Sequence, residues 1–559
     1  MLHKPIARLN VKGRRVLIVG AGPTGLKMAQ DVSNKGGKAY LFDSSLPYSR
    51  TAPVNAEGKA LIETRKGFKP DGVIRLEGYE LRDISRENGS FKLTLKKRVP
   101  FVDYEKCDGC TACERVCPAV FEDEDNRLLS LRTAISQQHP EGTAYSLLEE
   151  EPPCQTACPL HLDIRGYIGL IADGRFEESI ELIKKRLPFP GVIGRICTRP
   201  CEDKCNRSSM DEPLNIRGLK RFVSDWEGRK TSGQKKIRTT KKGKIAIIGS
   251  GPAGLTCARD LRLKGYQVTV FESLPVCGGM LAVGIPEFRL PKTVLNEEID
   301  QIKALGVRIE NDVTLGKDLG INEFFRQNYQ AVFLSTGAHQ SMPLNVVGED
   351  SEGVITGVQV LRNINLGKDL NIGWKVCVVG GGNVAIDVSR ALIRLGAEQV
   401  TIVYRRTKEE MPAHEEEVAA AIDEGVHIEF LTMPVEILSE RGRVTGLRLQ
   451  RGMLGKLGVS GRRRPIPIEG SEFCVEVDMV IPAIGQKPEL SWLIDETGIR
   501  TEHSGTVSVH PTTLATNVEG VFAGGDVVTG PKTAIEAIAS GKRGALSIHK
   551  YLFSRKDIR

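Results

Sequence analysis

Short apolar runs that end in glycines recur three times along the chain, each followed by residues with helical spacing of apolar positions. The runs are RVLIV (15–19), KIAII (244–248) and KVCVV (375–379), and the glycine-rich segments after them are GAGPTG, GSGPAG and GGGNVA. A short apolar run predicts a buried strand, and glycines permit a tight turn into the next helix. The pattern therefore predicts three strand–turn–helix units of an α/β protein.

The small residues in these turns are spaced for a dinucleotide. They are Gly20, Gly22 and Gly25; Gly249, Gly251 and Gly254; and Gly380, Gly382 and Ala385. The first glycine makes the turn, the second lets a pyrophosphate approach the backbone, and the third position lets helix and strand pack closely. The helix N-terminus then faces the phosphates. Asp43 and Glu272 close the first two units, where an acidic residue accepts hydrogen bonds from a ribose.

The third unit carries Tyr404, Arg405 and Arg406 where the others have an acid. Two guanidiniums would bind a 2′-phosphate that a carboxylate would repel, so the sequence favours NADPH over NADH. That the arginines only face solvent stays open as the alternative. Further on, GVFAGGD (520–526) places Gly525 and Asp526 after an apolar strand, where an aspartate reaches the ribityl hydroxyls of a flavin. A flavin domain is therefore expected to be split around the NADPH domain.

Nine of the thirteen cysteines are clustered and predict iron–sulfur ligands. They are Cys107, Cys110, Cys113, Cys117, Cys154, Cys158, Cys197, Cys201 and Cys205. The first four, followed by Pro118, have ferredoxin spacing, in which the last cysteine can serve another cluster. Zinc is the weaker alternative, because structural zinc sites use two well-separated pairs. The remaining four, Cys257, Cys277, Cys377 and Cys474, are predicted to be small buried hydrophobic residues.

The other five clustered cysteines form the second cysteine group, which consists of Cys154, Cys158, Cys197, Cys201 and Cys205. This group brackets DGRFEESIELIKKRL (173–187), which predicts an amphipathic helix in a small helical iron–sulfur domain. The spacing of Cys197, Cys201 and Cys205 by four would suit one helical face. Pro200 disfavours a continuous helix there, so these cysteines are expected to line a loop.

Composition narrows the function classes. The chain has 559 residues, 40% of them hydrophobic and 26% charged, with a net charge of +8. This length suggests three or four domains. The basic stretch 235–244 lacks aromatic residues and is interpreted as a solvated linker, not a nucleic-acid site. No apolar run approaches the ~20 residues of a membrane span, and Gly20 interrupts the only signal-like run, so we expect a cytoplasmic protein.

Five segments resemble the glutamate synthase small-subunit family. They are CGGMLAVGIPEFRLPK (277–292), GGGNVAIDVSR (380–390), VYRRTKEEMPA (403–413), PAIGQKP (482–488) and GVFAGGD (520–526). That family includes the NADPH-oxidising half of dihydropyrimidine dehydrogenase and the large subunit of NADH-dependent ferredoxin:NADP transhydrogenase. The resemblance runs from about residue 150 to the C-terminus. It implies FAD contacts at Glu272, Gly279, Met280, Arg289, Asp526, Thr533 and Ala534, and NADPH contacts at Gly382, Asn383, Ala385, Arg405, Arg406, Ala483 and Gly485.

The chain departs from that family at its cysteines. Residues 137–153 lack the upstream C-x-x-C, and Lys220 stands where some members have a glutamine ligand. Five cysteines therefore remain for one cluster; with the ferredoxin-like loop, we expect two [4Fe–4S] clusters, and their ligand partition stays open. Residues 1–120 resemble the start of the flavin-type subunit of heterodisulfide reductase. This head is either a structural relic or a second flavin site.

The expected architecture is two intertwined Rossmann-like nucleotide-binding domains, preceded by the iron–sulfur parts and an extra N-terminal head. The expected boundaries are 1–98 truncated head, 99–128 ferredoxin-like segment, 129–230 helical iron–sulfur domain, 231–243 linker, 244–366 and 483–559 FAD domain, and 367–482 NAD(P)H domain.

The expected function is that of an electron-transfer oxidoreductase. FAD bridges two-electron and one-electron chemistry, so electrons would pass from NAD(P)H through FAD to [4Fe–4S] clusters and on to a partner redox subunit or ferredoxin-like carrier. No acid–base pair is nominated. The alternatives are a glutamate synthase small subunit serving an amidotransferase, a ferredoxin:NAD(P) transhydrogenase subunit, and a scaffold with vestigial sites. A flavin disulfide reductase is disfavoured, because neither nucleotide domain contains a C-x-x-C pair.

Overall fold

The computed structural model describes residues 15–19, 23–42, 152–228, 243–458, 461–493 and 497–554, together with the strands between positions 73 and 146. The chain divides into two compact units, Met1–Phe121 with Arg132–Leu148, and Glu122–Leu131 with Glu149–Arg559. The predictions for Gly20, Gly22, Asp43, the four ferredoxin-spaced cysteines and most of the basic linker lie outside the described residues.

The first unit contains a parallel sheet in the order β1-β2-β3, with register pairs such as Arg15 with Lys38. Its elements are β1 (Arg15–Val19), α1 (Pro23–Asn34), β2 (Lys38–Phe42) and β3 (Val73–Leu76), then the antiparallel pairs β4 (Tyr79–Glu87) with β5 (Ser90–Lys97) and β8 (Ile135–Ser136) with β9 (Tyr145–Ser146). Two further strands, β6 (Val120–Glu122) and β7 (Leu131–Thr133), include residues of both units. That this segment forms a nucleotide-binding head stays a prediction.

The second unit begins with a helical segment that carries the second cysteine group. Its helices are α2 (Pro153–Thr156), α3 (Ile164–Ala172), α4 (Phe176–Arg186), α5 (Pro190–Ile196), α6 (Pro200–Asp203) and α7 (Ile216–Gly228), with a 3₁₀ turn at Asn206–Ser209. The predicted amphipathic helix is confirmed as α4. As predicted, no continuous helix joins Cys197, Cys201 and Cys205. Cys201 nevertheless lies in a helix and not in a loop, because Pro200 is the first residue of the short helix α6, a position where the missing N–H costs nothing.

A five-stranded parallel sheet follows, in the order β12-β11-β10-β13-β23. Its strands are β10 (Lys244–Ile248), β11 (Gln267–Phe271), β12 (Arg308–Glu310), β13 (Ala331–Leu334) and β23 (Val521–Ala523). Its helices are α8 (Pro252–Leu263), α9 (Met280–Val283), α10 (Lys292–Ala304), α11 (Ile321–Arg326), α15 (Asp526–Thr529) and α16 (Ala534–Ser554). The last strand returns from near the C-terminus to pair with β13, with Val332 opposite Val521.

The intervening chain forms another parallel sheet of the second unit, in the order β17-β16-β15-β21. Below, the five-stranded sheet is called the first sheet and this four-stranded sheet the second sheet. Its elements are α12 (Gly357–Asn365), β15 (Lys375–Val379), α13 (Asn383–Arg394), β16 (Gln399–Tyr404), a 3₁₀ turn (Lys408–Glu410), α14 (Glu415–Asp423), β17 (His427–Phe430) and β21 (Met479–Pro482). An antiparallel sheet of β18 (Thr432–Glu440), β19 (Arg443–Leu457) and β20 (Arg463–Glu476) is inserted before β21, and β14 (Gln340–Ser341) pairs with β22 (Gln486–Lys487).

Strands β10, β13, β15 and β21 are apolar apart from the lysine that begins β10 and β15, because both faces of these strands are covered. Along β10, Ile245 and Ile247 pack into one hydrophobic core, whereas the intervening Ala246 packs into another. Alternate side chains of a strand point to opposite faces, so a strand covered on both faces needs an unbroken apolar run. This arrangement explains why the sequence pattern located these strands.

The helical segment and the first sheet share one hydrophobic core, in which Ile164 and Phe189 lie with Ile245 and Leu255. The buried carboxylate of Glu298 on α10 accepts hydrogen bonds from the N–H groups of Gly191 (2.6 Å) and Val192 (3.1 Å) at the start of α5. Burial raises the pKa of Glu298 to about 8, and the two backbone bonds act in the opposite direction. The cysteine-bearing helices are thus fixed against the first sheet.

The prediction for the four isolated cysteines is correct at Cys257 and Cys377, which are buried, and wrong at Cys474, which is exposed. Cys474 lies on β20, the edge strand of the antiparallel sheet, where an apolar residue can face solvent. Cys277 is half-buried, with its thiol donating to Asn311 Oδ1. Within the described residues, none of the helices has the combination of length and hydropathy that a membrane span requires.

Candidate functional site

The loop after β10 needs glycine at two of its three predicted positions for packing alone. Gly249 has a φ of +96°, and a Cβ there would lie 2.5 Å from the carbonyl oxygen of Ser335. A Cβ on Gly254 would overlap the carbonyl oxygen of Gly249. These two glycines therefore bring helix α8 against the sheet, as the dinucleotide pattern requires.

Gly251 is different, because a Cβ there would meet no atom of the chain within 4 Å. It is the N-cap of α8, and its φ of −67° is open to any residue. The space before the helix N-terminus is thus open, and free N–H groups and the helix dipole favour an anion there. Gly279, with a φ of +54°, lies beside this space, since its Cβ would be 2.9 Å from Gly251 Cα. These residues fit a dinucleotide pyrophosphate.

Replacing Gly251 with alanine is expected to leave the fold intact but to weaken flavin binding at least about tenfold, or about 1.4 kcal/mol. The methyl group has room in the protein alone and would occupy the space of the phosphates. Flavin absorbance per chain and thermal unfolding measure the two effects. Gly169→Ala is the matched control, because Gly169 in α3 also has open space but lies outside the loop. Unchanged flavin content in Gly251→Ala would contradict this placement.

Glu272, which follows β11, is 5% exposed and organises the glycine loop. One carboxylate oxygen accepts hydrogen bonds from the N–H (2.8 Å) and the hydroxyl (2.6 Å) of Ser250, and the other accepts from the N–H of Leu274 (2.9 Å). The Ser250 hydroxyl in turn accepts from the N–H of Gly278 (3.0 Å). Sequence reasoning missed Ser250, although its place between the glycines was a signal. The network fixes the loop around the open space.

The C-terminal GGD segment lies against the same helix N-terminus. A Cβ on Gly525, whose φ is +77°, would be 3.0 Å from Ala253 Cβ, and the N–H of Gly525 donates to Ser540 Oγ (2.9 Å). Burial raises the pKa of Asp526 to about 7, and its carboxylate accepts from the N–H of Lys532. The fold thus brings together two flavin-type segments that are far apart in sequence.

Three other predicted flavin contacts occupy helix starts near these segments. Met280 begins α9, Ala534 begins α16, and the hydroxyl of Thr533 donates to Glu536 Oε2 (2.5 Å). Their roles as cofactor contacts stay predictions.

A half-buried His–Arg pair close to Glu272 was not foreseen from the sequence. Arg362 Nη2 donates to His339 Nδ1 (3.0 Å), and Arg362 Nε is buried without a hydrogen-bond partner in the described part of the chain. Burial, followed by the charge of Arg362, lowers the pKa of His339 to about 4. The residues come from different elements, so no local pattern could have linked them. A neutral histidine and an incompletely paired guanidinium near the loop suit an anionic or carbonyl-bearing ligand.

The loop after β15 repeats the first geometry. Gly380 has a φ of +145°, and a Cβ there would overlap the carbonyl oxygen of Ala483. Gly382 is the N-cap of α13, and the nearest atom to its Cβ would be 4.0 Å away on Pro412. Ala385 is fully buried, and Asn383 Oδ1 accepts from the N–H of His414 (3.3 Å). The Ala483–Gly485 segment therefore lies beside a second open helix N-terminus, which fits a second pyrophosphate.

The two arginines after β16 have different surroundings. Arg405 is exposed, whereas Arg406 is 6% exposed and donates from Nε to the carbonyl oxygen of Arg463 (2.8 Å). The prediction that both contact NADPH stays untested.

Arg289 lies on an ion-pair network of the second sheet. Its guanidinium contacts Asp387 Oδ2 on α13 (2.6 Å) and Glu417 Oε1 on α14 (3.2 Å). Its predicted role as a flavin contact stays a prediction. In this structure, Arg289 joins the two sheet-forming parts of the second unit.

The second cysteine group comes from short helices and the residues that follow them. Cys154 is in α2, Cys197 caps the C-terminus of α5, and Cys201 is in α6. Cys158, Cys197 and Cys201 are buried, and their thiols, with that of Cys154, raise the pKa of the buried Tyr167 after burial itself. The N–H of Arg199 donates to Cys197 Sγ (3.4 Å). A buried set of thiols with a backbone donor fits an iron–sulfur cluster.

The residues around these thiols affect which metal group the cysteines can hold. Among the described residues, no three His, Cys, Asp or Glu side chains are placed to hold a single metal ion. Lys220 is 2% exposed, and its charge acts on the Cys201 thiol. The effect of its charge on Cys201 places Lys220 beside the cysteine group, as the departure from the family pattern predicted.

Three family models match the chain. The pyridine nucleotide-disulphide oxidoreductase model matches residues 243–541, the model of dihydropyrimidine dehydrogenase domain II with its 4Fe-4S cluster matches residues 134–232, and a 4Fe-4S binding domain matches residues 100–120. The two latter matches cover the two cysteine groups.

Curated relatives match over about 72% of the chain. Subunit beta of the NADP(+)-dependent formate dehydrogenase of Moorella thermoacetica is 48% identical over 425 residues, and subunit beta of the NADPH-Fe(3+) oxidoreductase of Geobacter sulfurreducens is 43% identical over 427. The chain spans 60% and 63% of these two relatives. The small chain of the NADPH glutamate synthase of Azospirillum brasilense is 35% identical over 427 residues, 73% of this chain and 87% of the relative.

Proposed function

The chain belongs to the pyridine nucleotide-disulphide oxidoreductase family and, as the sequence predicted, to the group that contains the glutamate synthase small chains. From this membership we propose that it is the NADPH-oxidising electron-transfer subunit of a multi-subunit redox enzyme. It is an oxidoreductase with two 4Fe-4S segments. Bound FAD would exchange electron pairs with a nicotinamide and single electrons with clusters. The partner and the terminal substrate belong to the proposal.

The observation that carries this function is the pair of open helix N-termini, at Gly251 and at Gly382, in one unit with a buried cysteine group. Each N-terminus supplies N–H groups and a dipole for one pyrophosphate. The common core and the Glu298 hydrogen bonds hold the cysteine-bearing helices against the first sheet, which would keep the distance between flavin and cluster constant. Gly525 and Asp526 would place the ribityl chain beside the first loop.

The domain boundaries given above, the N-terminal head and a cytoplasmic location are proposed on the sequence. The partner is proposed to be another redox subunit, because the first two relatives are named as beta subunits. A glutamate synthase small-chain role is the second candidate, supported by the 87% coverage of that relative. The preference for NADPH is supported by exposed Arg405 and by the names of these three relatives.

Anaerobic titration of the purified chain with NADPH and NADH tests this function. We expect flavin bleaching by both nucleotides, with NADPH effective at a concentration at least about tenfold lower, because a charge-assisted contact to the 2′-phosphate contributes about 1.5–3 kcal/mol. Iron and acid-labile sulfide are measured on the same sample. A colourless chain would reject the function, and equal response to both nucleotides would reject the NADPH preference alone.

A further inference from the structure

The hairpin of β19 and β20 ends against the segment that follows β16. Arg406 Nε donates to the carbonyl oxygen of Arg463, and the N–H of Arg463 donates to Glu410 Oε1 (3.1 Å). At the hairpin end, the N–H of Gly458 donates to the carbonyl oxygen of Arg462 (2.8 Å). These backbone contacts place Arg462 next to the two arginines that the sequence assigned to the 2′-phosphate.

Four arginines lie at this place, Arg405, Arg406, Arg462 and Arg463, and their guanidinium groups are not equally available to bind an anion. Arg463 pairs with Glu410 through Nε (3.3 Å), and Arg406 is buried with Nε on a carbonyl oxygen. Arg405 is exposed and Arg462 is half-buried, and neither forms an ion pair with any residue that the structure describes. Loss of solvent around its guanidinium, followed by the charges of Arg406 and Arg462, lowers the pKa of Arg405. Arg405 and Arg462 are therefore adjacent positive charges whose repulsion an anion would relieve.

We propose that Arg462, carried by the β19–β20 hairpin, is a specificity-determining residue that binds the 2′-phosphate of NADPH together with Arg405. This inference rests on the proposed function and revises its residues: Arg406 supports the hairpin, and Arg462 supplies the second guanidinium. A phosphate between two guanidiniums accepts charge-assisted hydrogen bonds from both. NADH lacks the group that bridges them, so Arg462 contributes to discrimination between the two nucleotides.

Calorimetric titration of the full chain with 2′,5′-ADP and with 5′-AMP isolates the contribution of this phosphate. We expect Arg462→Gln to weaken 2′,5′-ADP binding about tenfold, or about 1.4 kcal/mol, and to leave 5′-AMP binding unchanged. Arg405→Gln should give a loss of similar size. Lys456→Gln is the matched control, since Lys456 is an exposed cation on the same hairpin. This variant should bind both nucleotides as tightly as the original chain does.

The outcomes separate this inference from the proposed function. If Arg462→Gln bound 2′,5′-ADP as tightly as the original chain and Arg405→Gln bound it more weakly, the role of Arg462 would be overturned. The NADPH preference would then stand. Equal weakening of both nucleotides by Arg462→Gln would also overturn it, because the effect would not depend on the phosphate. If the original chain bound 5′-AMP as tightly as 2′,5′-ADP, the NADPH preference itself would fail.

Discussion

Replacing Cys201 with alanine is expected to lower the iron and acid-labile sulfide content by about four atoms each per chain, the content of one [4Fe–4S] cluster. Cys201 is buried with Cys158 and Cys197, and a cluster held by such thiolates loses its attachment when one is removed. The neighbouring Lys220 cannot replace the ligand while it is a cation, because an ammonium has no free lone pair. Chemical analysis of anaerobically purified protein gives the result.

Two matched substitutions control this measurement. Cys474→Ser changes an exposed thiol on β20, and Cys257→Ala changes a buried thiol in α8 that lies outside the cysteine group. Both should keep the original iron content. If Cys201→Ala kept it as well, Cys201 would be the one of the five cysteines of the second cysteine group that does not hold the cluster.

The sequence was sufficient where local pattern and geometry coincide. The runs KIAII and KVCVV could be recognised as strands because a strand covered on both faces has apolar side chains on both, and both glycine turns follow from the packing of α8 and α13. The return of the GGD segment was foreseen from its composition, and the pairing of β23 with β13 agrees with it. Lys220 could be placed beside the cysteines only by resemblance.

Contacts between distant segments could not be foreseen. Glu298 accepts hydrogen bonds from Gly191, 107 positions earlier, and nothing near Glu298 in sequence indicates this partner. Cys474 was predicted to be buried because a free cysteine usually behaves as a small buried hydrophobic residue, but it lies on an edge strand, which has only one neighbour to cover it. Arg289 shows the same limit, since a guanidinium suits a pyrophosphate and a carboxylate equally, and only the fold brings Asp387 and Glu417 to it.

Replacing Arg289 with methionine is expected to lower the free energy of unfolding by about 3 kcal/mol, the lower end of the cost of breaking a buried ion pair. Its side chain is 13% exposed and that of Asp387 is 5% exposed, so the substitution leaves buried negative charge without its partner. Asp387 Oδ1 already has no hydrogen-bond partner among the described residues. This oxygen therefore makes no hydrogen bond that could offset the loss of the Arg289 contact. Urea unfolding followed by fluorescence measures the change.

Arg308→Gln is the control for Arg289→Met, because the Arg308–Glu310 pair has an arginine that is 75% exposed and should contribute less than about 1 kcal/mol. Asp387→Asn added to Arg289→Met should restore part of the stability, since an amide carries no charge to leave unpaired. A loss below about 1 kcal/mol in Arg289→Met would show that the ion pair does not hold the two sheets together. If flavin content fell at unchanged stability, the pyrophosphate contact predicted from the sequence would be the role of Arg289 instead.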